Sequence, residues 1–479
     1  MPPSASRFAI LACCCLTASC AISSNARKST EQAPQANNPV VGGASLAMTA
    51  LRSTALATVR EPVTTATLGV AVLWTRPHEA LVSNIPVDLP EPPQVAEIPG
   101  TPEFERLLDK RHLPLSQKGS IKWLVDGKNF FPELDRKIAE AHKSIDIQVF
   151  IFDNDDVATR YADTLKERSK SVKVHVLFDD LGSTFAQLSP PDTPGPAGFT
   201  APMNMASYLE RDSKVRARRT LNPWLVSDHT KLMVFDQQCA MIGGMNIGRE
   251  YYSEWHDLMC CVDGPVVTTL QKDFSRSWHK AGPLGDFATI FRKPDFFRKN
   301  HASPDDISLR PLRTDPVAGQ YQVLKAYLLA IRSARTRIWI ENPYIAHDEV
   351  IRALVGAARR GVDVRVILPA KGDSTIMDVA NIATERTLIE AGAKIYRYPR
   401  MTHMKVMLCD GWGTMGSANL DTLSMRINRE LNLAFRNPEA VAGLEKQVFL
   451  PDFRTSKRIS LKDTESGIAP IAAKVASQL

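Results

Sequence analysis

His229-Thr230-Lys231-Leu232-Met233-Val234-Phe235-Asp236, followed by Gly243-Gly244-Met245-Asn246, has a near copy further along the chain. The copy is His403-Met404-Lys405-Val406-Met407-Leu408-Cys409-Asp410, followed by Gly416-Ser417-Ala418-Asn419. In an extended strand residues i and i+2 share a face, so each histidine stands beside its lysine. The apolar residues after each lysine then fill a buried strand, and Asp236 and Asp410 stand where a hairpin turn should start. The downstream spacing tightens the match. From His229 to Asn246 is 17 residues and from His403 to Asn419 is 16; from His229 to Asp257 is 28 and from His403 to Glu430 is 27. One turn residue missing between Asp410 and Gly416 explains both differences. Two histidines, two lysines, two asparagines and two acids therefore superpose as paired sets. A single His-x-Lys arises readily by chance; two with matched partners do not.

The text around the motifs repeats as well. A helix opening at Phe131-Pro132, with proline in its first turn, precedes a strand over 145–151. A helix over 157–168 and a strand over 172–178 follow. The second half reads the same way: helix 321–334, strand 337–340, helix 349–360 closed by Gly361, strand 362–368. Alternation of this kind predicts an α/β fold built from an internal duplication. Residues 179–222, carrying Pro190-Pro191-Asp192-Thr193-Pro194-Gly195-Pro196, read as a surface loop or lid.

The paired sets resemble the HxKxxxxD motifs, with a trailing GG/GSxN, of the phospholipase D superfamily, over roughly residues 105–455. Within it the text is most similar to bacterial cardiolipin synthases, through Gly243–Tyr252, Trp255-His256-Asp257, Gly264-Pro265-Val266-Val267, Glu341-Asn342-Pro343-Tyr344, Gly361–Arg365 and Gly416–Asp421. The shortened turn after Asp410 departs from the pattern. So does an N-terminal tether where a clear pair of transmembrane helices is usual. The resemblance implies two pseudo-symmetric α-β-α repeats, 105–300 and 301–479, with mixed sheets sharing one active-site cleft.

The residue types suit phosphodiester chemistry. A phosphodiester is a stable anion, so its transfer needs a nucleophile, an acid for the leaving alkoxide and positive charge on the non-bridging oxygens. One imidazole can form a phospho-histidine while the other protonates the leaving alcohol and later deprotonates the acceptor. The resemblance implies His229 as nucleophile and His403 as general acid/base, although the sequence itself is nearly symmetric. Lys231 and Lys405, with Asn246, Asn419 and Ser417, are the candidates to hold phosphate oxygens. Asp257 and Glu430 are candidates to accept the far N–H of an imidazole. Asp236 and Asp410 are expected to be structural. No cofactor or metal is called for, because the lysines supply the charge. His142, His175, His256, His279, His301 and His347 read as solvent-facing or capping residues, with His256 also a candidate to line the site through its neighbour Asp257. Tyr251, Tyr252 and Trp255 read as core, and Arg216-Ala217-Arg218-Arg219 as a solvated loop.

Composition is that of an ordinary globular chain: 44% hydrophobic, 23% charged, 59 basic against 52 acidic residues for a net +7. That excess is too small to select a partner. The N-terminus says more. Arg7, the apolar run Phe8–Leu16 and small residues before Cys20 form a secretory-type signal too short to span a bilayer. Leu16-Thr17-Ala18-Ser19-Cys20 resembles a lipobox with Cys20 as the lipidation candidate, implying a membrane-associated, periplasm-facing lipoprotein of a bacterial cell envelope. Residues 21–104 read as a mostly irregular tether, with one helix near 64–74. Of eight cysteines, Cys239, Cys260, Cys261 and Cys409 lie outside the signal and read as strand fillers. The expected partners are a phospholipid at a membrane surface and an alcohol or second phospholipid as acceptor. The competing readings are a hydrolytic phospholipase D, a nuclease, for which the export signal and flanking text argue poorly, and a non-catalytic lipid-binding protein.

Overall fold

The computed structural model describes residues 39–82, 94–188, 191–288 and 297–465. The signal segment with Cys20 and the proline-rich text of 84–93 lie outside them.

The first half supplies strands β1 (Gln117–Val125), β2 (Ser144–Val149), β3 (Lys173–Asp179), β4 (Arg216–Thr220), β5 (Leu232–Phe235), β6 (Cys239–Gly243) and β7 (Leu258–Asp263). The second supplies β8 (Ile307–Asp315), β9 (Gln320–Tyr321), β10 (Arg337–Glu341), β11 (Asp363–Pro369), β12 (Lys394–Tyr398), β13 (Val406–Cys409), β14 (Trp412–Gly416), β15 (Glu430–Phe435) and β16 (Lys457–Arg458). β1 and β8 pair antiparallel and join the halves. Outward from that seam the first half runs β1-β7-β6-β5-β2-β3-β4 and the second β8-β15-β14-β13-β10-β11-β12. The two orders correspond strand for strand, so the duplication in sequence is a duplication in topology. Both halves mix parallel and antiparallel pairs.

The sheets pack face to face. Leu232 and Val234 of β5, Ala240 and Ile242 of β6, and Cys260 of β7 share one core with Val406, Leu408, Met415, Leu431 and Leu433 of the other half. Alternate residues turn the opposite way. Met233, Phe235, Met241 and Met259 meet Phe130, Phe131, Leu134 and Ile138 of the helix Gly127–Glu140. Strands covered on both sides must be apolar throughout, which explains the unbroken hydrophobic runs after each lysine.

Both hairpins turn through a motif aspartate. β5 and β6 are joined by Asp236, Gln237 and Gln238, whereas β13 and β14 are joined by Asp410 and Gly411 alone. The missing residue lies in the turn itself. Asp236 and Asp410 adopt positive φ (53° and 49°). Each carboxylate caps the start of a neighbouring strand. Asp236 accepts the backbone N–H of His142, Lys143 and Ser144; Asp410 accepts those of Arg335, Thr336 and Arg337 at 2.9, 2.9 and 3.0 Å.

Several expectations need correction. Residues 39–82 are not an irregular tether but two helices, α1 (Pro39–Arg60) and α2 (Pro62–Val82). Small residues hid the pattern: Leu46, Ala50, Ser53 and Ala57 recur at helical spacing and are all buried. Pro132 lies inside its helix, not in the first turn, because Asp126 at φ 63° turns the chain out of β1 and starts the helix at Gly127. Residues 179–222 contain helices Asp180–Leu188 and Met205–Glu210 and the strand β4. Arg216–Arg219 therefore belongs to a strand parallel to β3, not to a solvated loop. Arg218 stacks 4.1 Å from the Trp278 ring and Arg219 pairs with Asp180 at 2.9 Å. The helix Pro102–Lys110 spans the start of the first repeat in sequence but packs with the second, through Phe104, Leu107 and Leu108.

Asp410→Ala should lower stability by about 3 kcal/mol, since three backbone N–H groups lose their acceptor together. Urea denaturation measures this, and Asp410→Asn, which keeps an acceptor and tolerates the positive φ, should recover most of the loss.

Candidate active site

Each motif histidine enters its strand beside the acid-bearing segment of the other repeat. His229 N donates to Arg429 O and Arg429 N to Ser227 O, both at 2.9 Å. Symmetrically, His256 N donates to Met401 O at 2.9 Å and His403 N to His256 O at 2.7 Å. These short ladders fix where the side chains go. His229 Nδ1 lies 3.0 and 3.1 Å from the two oxygens of Glu430, and His403 Nδ1 lies 2.7 Å from Asp257 Oδ2. The acids are therefore exchanged between repeats. The histidine of each half is oriented by the carboxylate of the other, a partnership that spacing along one motif does not reveal.

The lysines are walled in. Lys231 is fully buried and Lys405 almost so, and each Nζ donates to the backbone oxygen of the histidine two residues before it. Burial lowers Lys231 to about 7, against the pull of Glu430, and Lys405 to about 8, against that of Asp257. Burial also holds both imidazoles well below their ordinary range, and both ammonium groups push the same way. Conversely, burial raises Asp257 to about 7 and Glu430 to about 8, the lysines opposing it. Each lysine acts on both imidazoles, and His229 acts on His403, so the two sets share one electrostatic site. A site with this balance favours an arriving anion, which restores the charge that burial removes from the lysines.

Aromatic walls complete it. Phe150 meets the His229 ring edge-on at 4.7 Å and lies 5.1 Å from Lys231 Nζ. Tyr251 and Trp255 lie 5.6 and 5.1 Å from the His403 ring, while Tyr252 is on the surface. Asp373 is a residue that sequence reasoning missed. It is hydrogen-bonded by Tyr344 Oη and feels the charge of Lys405. No pattern marks it, because it lies on the loop after β11 and not in either motif.

The asparagines and Ser417 are less free than expected. Asn246 accepts from Ile151 N at 3.0 Å and donates to Tyr251 Oη at 2.8 Å. Asn419 reaches Asp421, and its Oδ1 has no donor. The Ser417 hydroxyl donates to Glu430 Oε2 and accepts from Leu431 N. Its counterpart Gly244 has no room for a side chain, since a Cβ there would meet Asp257 Oδ1 at 2.2 Å. Among the other histidines, His256 and His347 are buried rather than solvent-facing.

A family profile described as "Cardiolipin synthase, PLD-like domain" matches residues 134–278 and 327–449, one stretch in each half. The chain belongs to this PLD-like family. It is 31% identical over 369 residues to cardiolipin synthase A of Pseudomonas fluorescens, covering 74% of this chain and 72% of that protein. It is 30% identical over 373 residues to cardiolipin synthase A of Pseudomonas syringae, with the same coverage. In fold it is similar to the phosphatidylserine synthase of Haemophilus influenzae, with a TM-score of 0.61 and 15% identity over 78% of this chain and all of that one.

Gly244→Ala should displace the Asp257 carboxylate and lower turnover about 100-fold, the order expected for a catalytic group moved by about an ångström. Ser417→Ala leaves Glu430 room and should cost less than about tenfold. Steady-state turnover of both variants checks this; an unimpaired Gly244→Ala enzyme contradicts it.

Proposed function

We propose that this protein is a cardiolipin synthase-like phosphatidyltransferase, and that the carboxylate exchange between repeats is what makes the site work. The observation that carries the reading is the pair of imidazole–carboxylate dyads, His229–Glu430 and His403–Asp257, around two buried lysines. In the first step His229 Nε2 attacks phosphorus. The P–O bond to the leaving alcohol breaks, and His403 gives that alkoxide its proton. In the second step the acceptor hydroxyl returns a proton to His403 as its oxygen attacks phosphorus and the P–N bond breaks. Lys231 and Lys405 hold the non-bridging oxygens throughout, doing what a metal would otherwise do.

The dyads are not equivalent, and this favours His229 as nucleophile. Ser417 donates a hydrogen bond to Glu430, stabilising a carboxylate that keeps the His229 proton on Nδ1 and leaves Nε2 with a free lone pair. Asp257 has no such hydroxyl, because Gly244 stands at that place.

The relatives' name points to phospholipid as substrate and a second phospholipid as acceptor. A membrane surface suits α1 and α2. Leu51, Val59, Val63, Val70, Leu73 and Trp74 are exposed on them. The same helices hold the segment leading to His229, through Ser53 Oγ, which accepts from Asn222 N, and Thr65 O, which accepts from Trp224 Nε1. No helix among the described residues is long and apolar enough to cross a bilayer. A lipid on Cys20 at the periplasmic face would supply the second membrane signal that stable anchoring takes.

Purified protein given vesicles of phosphatidylglycerol should form dimeric lipid and release glycerol, with His229→Asn and His403→Asn both inactive. Phosphatidic acid as the main product would replace transfer by hydrolysis. Nicked plasmid with no lipid product would overturn the lipid reading, and activity surviving loss of either histidine would overturn the mechanism.

A further inference from the structure

The residue before each orienting acid differs between the repeats, and the difference leaves a second cluster without enough positive charge. Beside the His229–Glu430 dyad, Arg429 donates to Asp228 at 2.7 Å and lies 3.5 Å from Asp315, while Gln148 Nε2 donates to the same Asp228 oxygen at 3.0 Å. The corresponding positions beside the His403–Asp257 dyad hold His256, Thr402 and Glu341. Here Asp126, Glu341 and Asp452 converge on a single imidazole. His256 Nδ1 lies 2.6 Å from Asp126 Oδ1; Nε2 lies 3.1 Å from Asp452 Oδ2 and 3.9 Å from Glu341 Oε1.

Glu341 is fully buried. Thr402 Oγ1 donates to its Oε1, its Oε2 receives no donor among the described residues, and the Asp452 carboxyl group lies within hydrogen-bond reach of the Glu341 carboxyl group. Even with the imidazole charged, the three carboxylates keep two negative charges uncompensated. Arg400, half exposed and 4.0 Å from Asp126, adds positive charge only at the edge of the cluster. Uncompensated charge of this kind is not tolerated in an interior, so either a proton or a cation must lie between Glu341 and Asp452.

We infer that this cluster is a structural site for a divalent cation of the zinc class, bound by His256 Nε2, Glu341 and Asp452. One imidazole and two carboxylates form a donor set that such ions accept. The candidate ligand atoms lie within 4.8 Å of one another. The outer contact also fits: a metal-bound imidazole commonly donates its other N–H to a carboxylate, and Asp126 is in place for that. Tyr398 stacks on the His256 ring at 4.5 Å with an interplanar angle of 8° and fixes its plane. The ion takes no part at phosphorus. It ties β10, the helix Leu450–Thr455 and the segment before Asp257 together beside Thr402-His403, holding the second dyad in register. This inference does not depend on the choice of lipid substrate.

The full chain, produced in medium containing zinc and freed of loose metal by gel filtration, should carry about one equivalent of a divalent transition metal by elemental mass spectrometry. Glu341→Gln and Asp452→Asn should each retain less than about a tenth of that and melt below the wild type. The wild-type measurement stands even where a variant fails to fold. Wild-type protein with less than about a tenth of an equivalent of any such metal overturns the inference. So does Glu341→Gln protein that keeps its full metal content, or that melts at or above the wild-type temperature; the last result would point to a shared proton.

Discussion

The structure depends on two hydrogen bonds that cross between repeats, His229 to Glu430 and His403 to Asp257. The partners are 201 and 146 residues apart in sequence, yet each bond closes because the backbone beside it is already paired to the opposite half. An imidazole without its carboxylate has neither a fixed tautomer nor a fixed plane. A single repeat of this chain thus carries a motif but not an oriented histidine. The joined β1–β8 seam and the apolar core between the facing sheets are the framework that makes the crossing possible.

That apolar core also sets the electrostatics. Two ammonium groups and two carboxylates are placed where water cannot solvate them, so each is driven toward its neutral form: the lysines down to about 7 and 8, the acids up to about 7 and 8. Such groups weaken a fold unless something pairs with them. A phosphodiester does so, bringing negative charge to the lysines and leaving the carboxylates to stabilise imidazolium. The group that is expensive to bury in the free protein is the one that distinguishes a phosphorus centre about to react.

Much of this was legible in the sequence. Both histidine–lysine sets, the acids downstream and the one-residue difference between the hairpins follow from strand periodicity and spacing, and the turn residues account for that difference. Other features could not be read. The exchange of Asp257 and Glu430 between halves is a property of tertiary pairing. Helices α1 and α2 were masked by their small buried residues, and the guanidinium groups of Arg218 and Arg219 read as solvated only because Trp278 and Asp180 are distant in sequence. Ser417 was expected to bind phosphate; only the structure reveals that it faces Glu430. Residues that touch neither motif, such as Asp373 and Asp452, carry no local signal at all.

The most direct measurement is to quench the enzyme in alkali during turnover of phosphatidylglycerol and locate the covalent adduct by peptide mass spectrometry. The account predicts a phosphatidyl group on the peptide carrying His229. An adduct on the His403 peptide, or on neither while product accumulates, would contradict it.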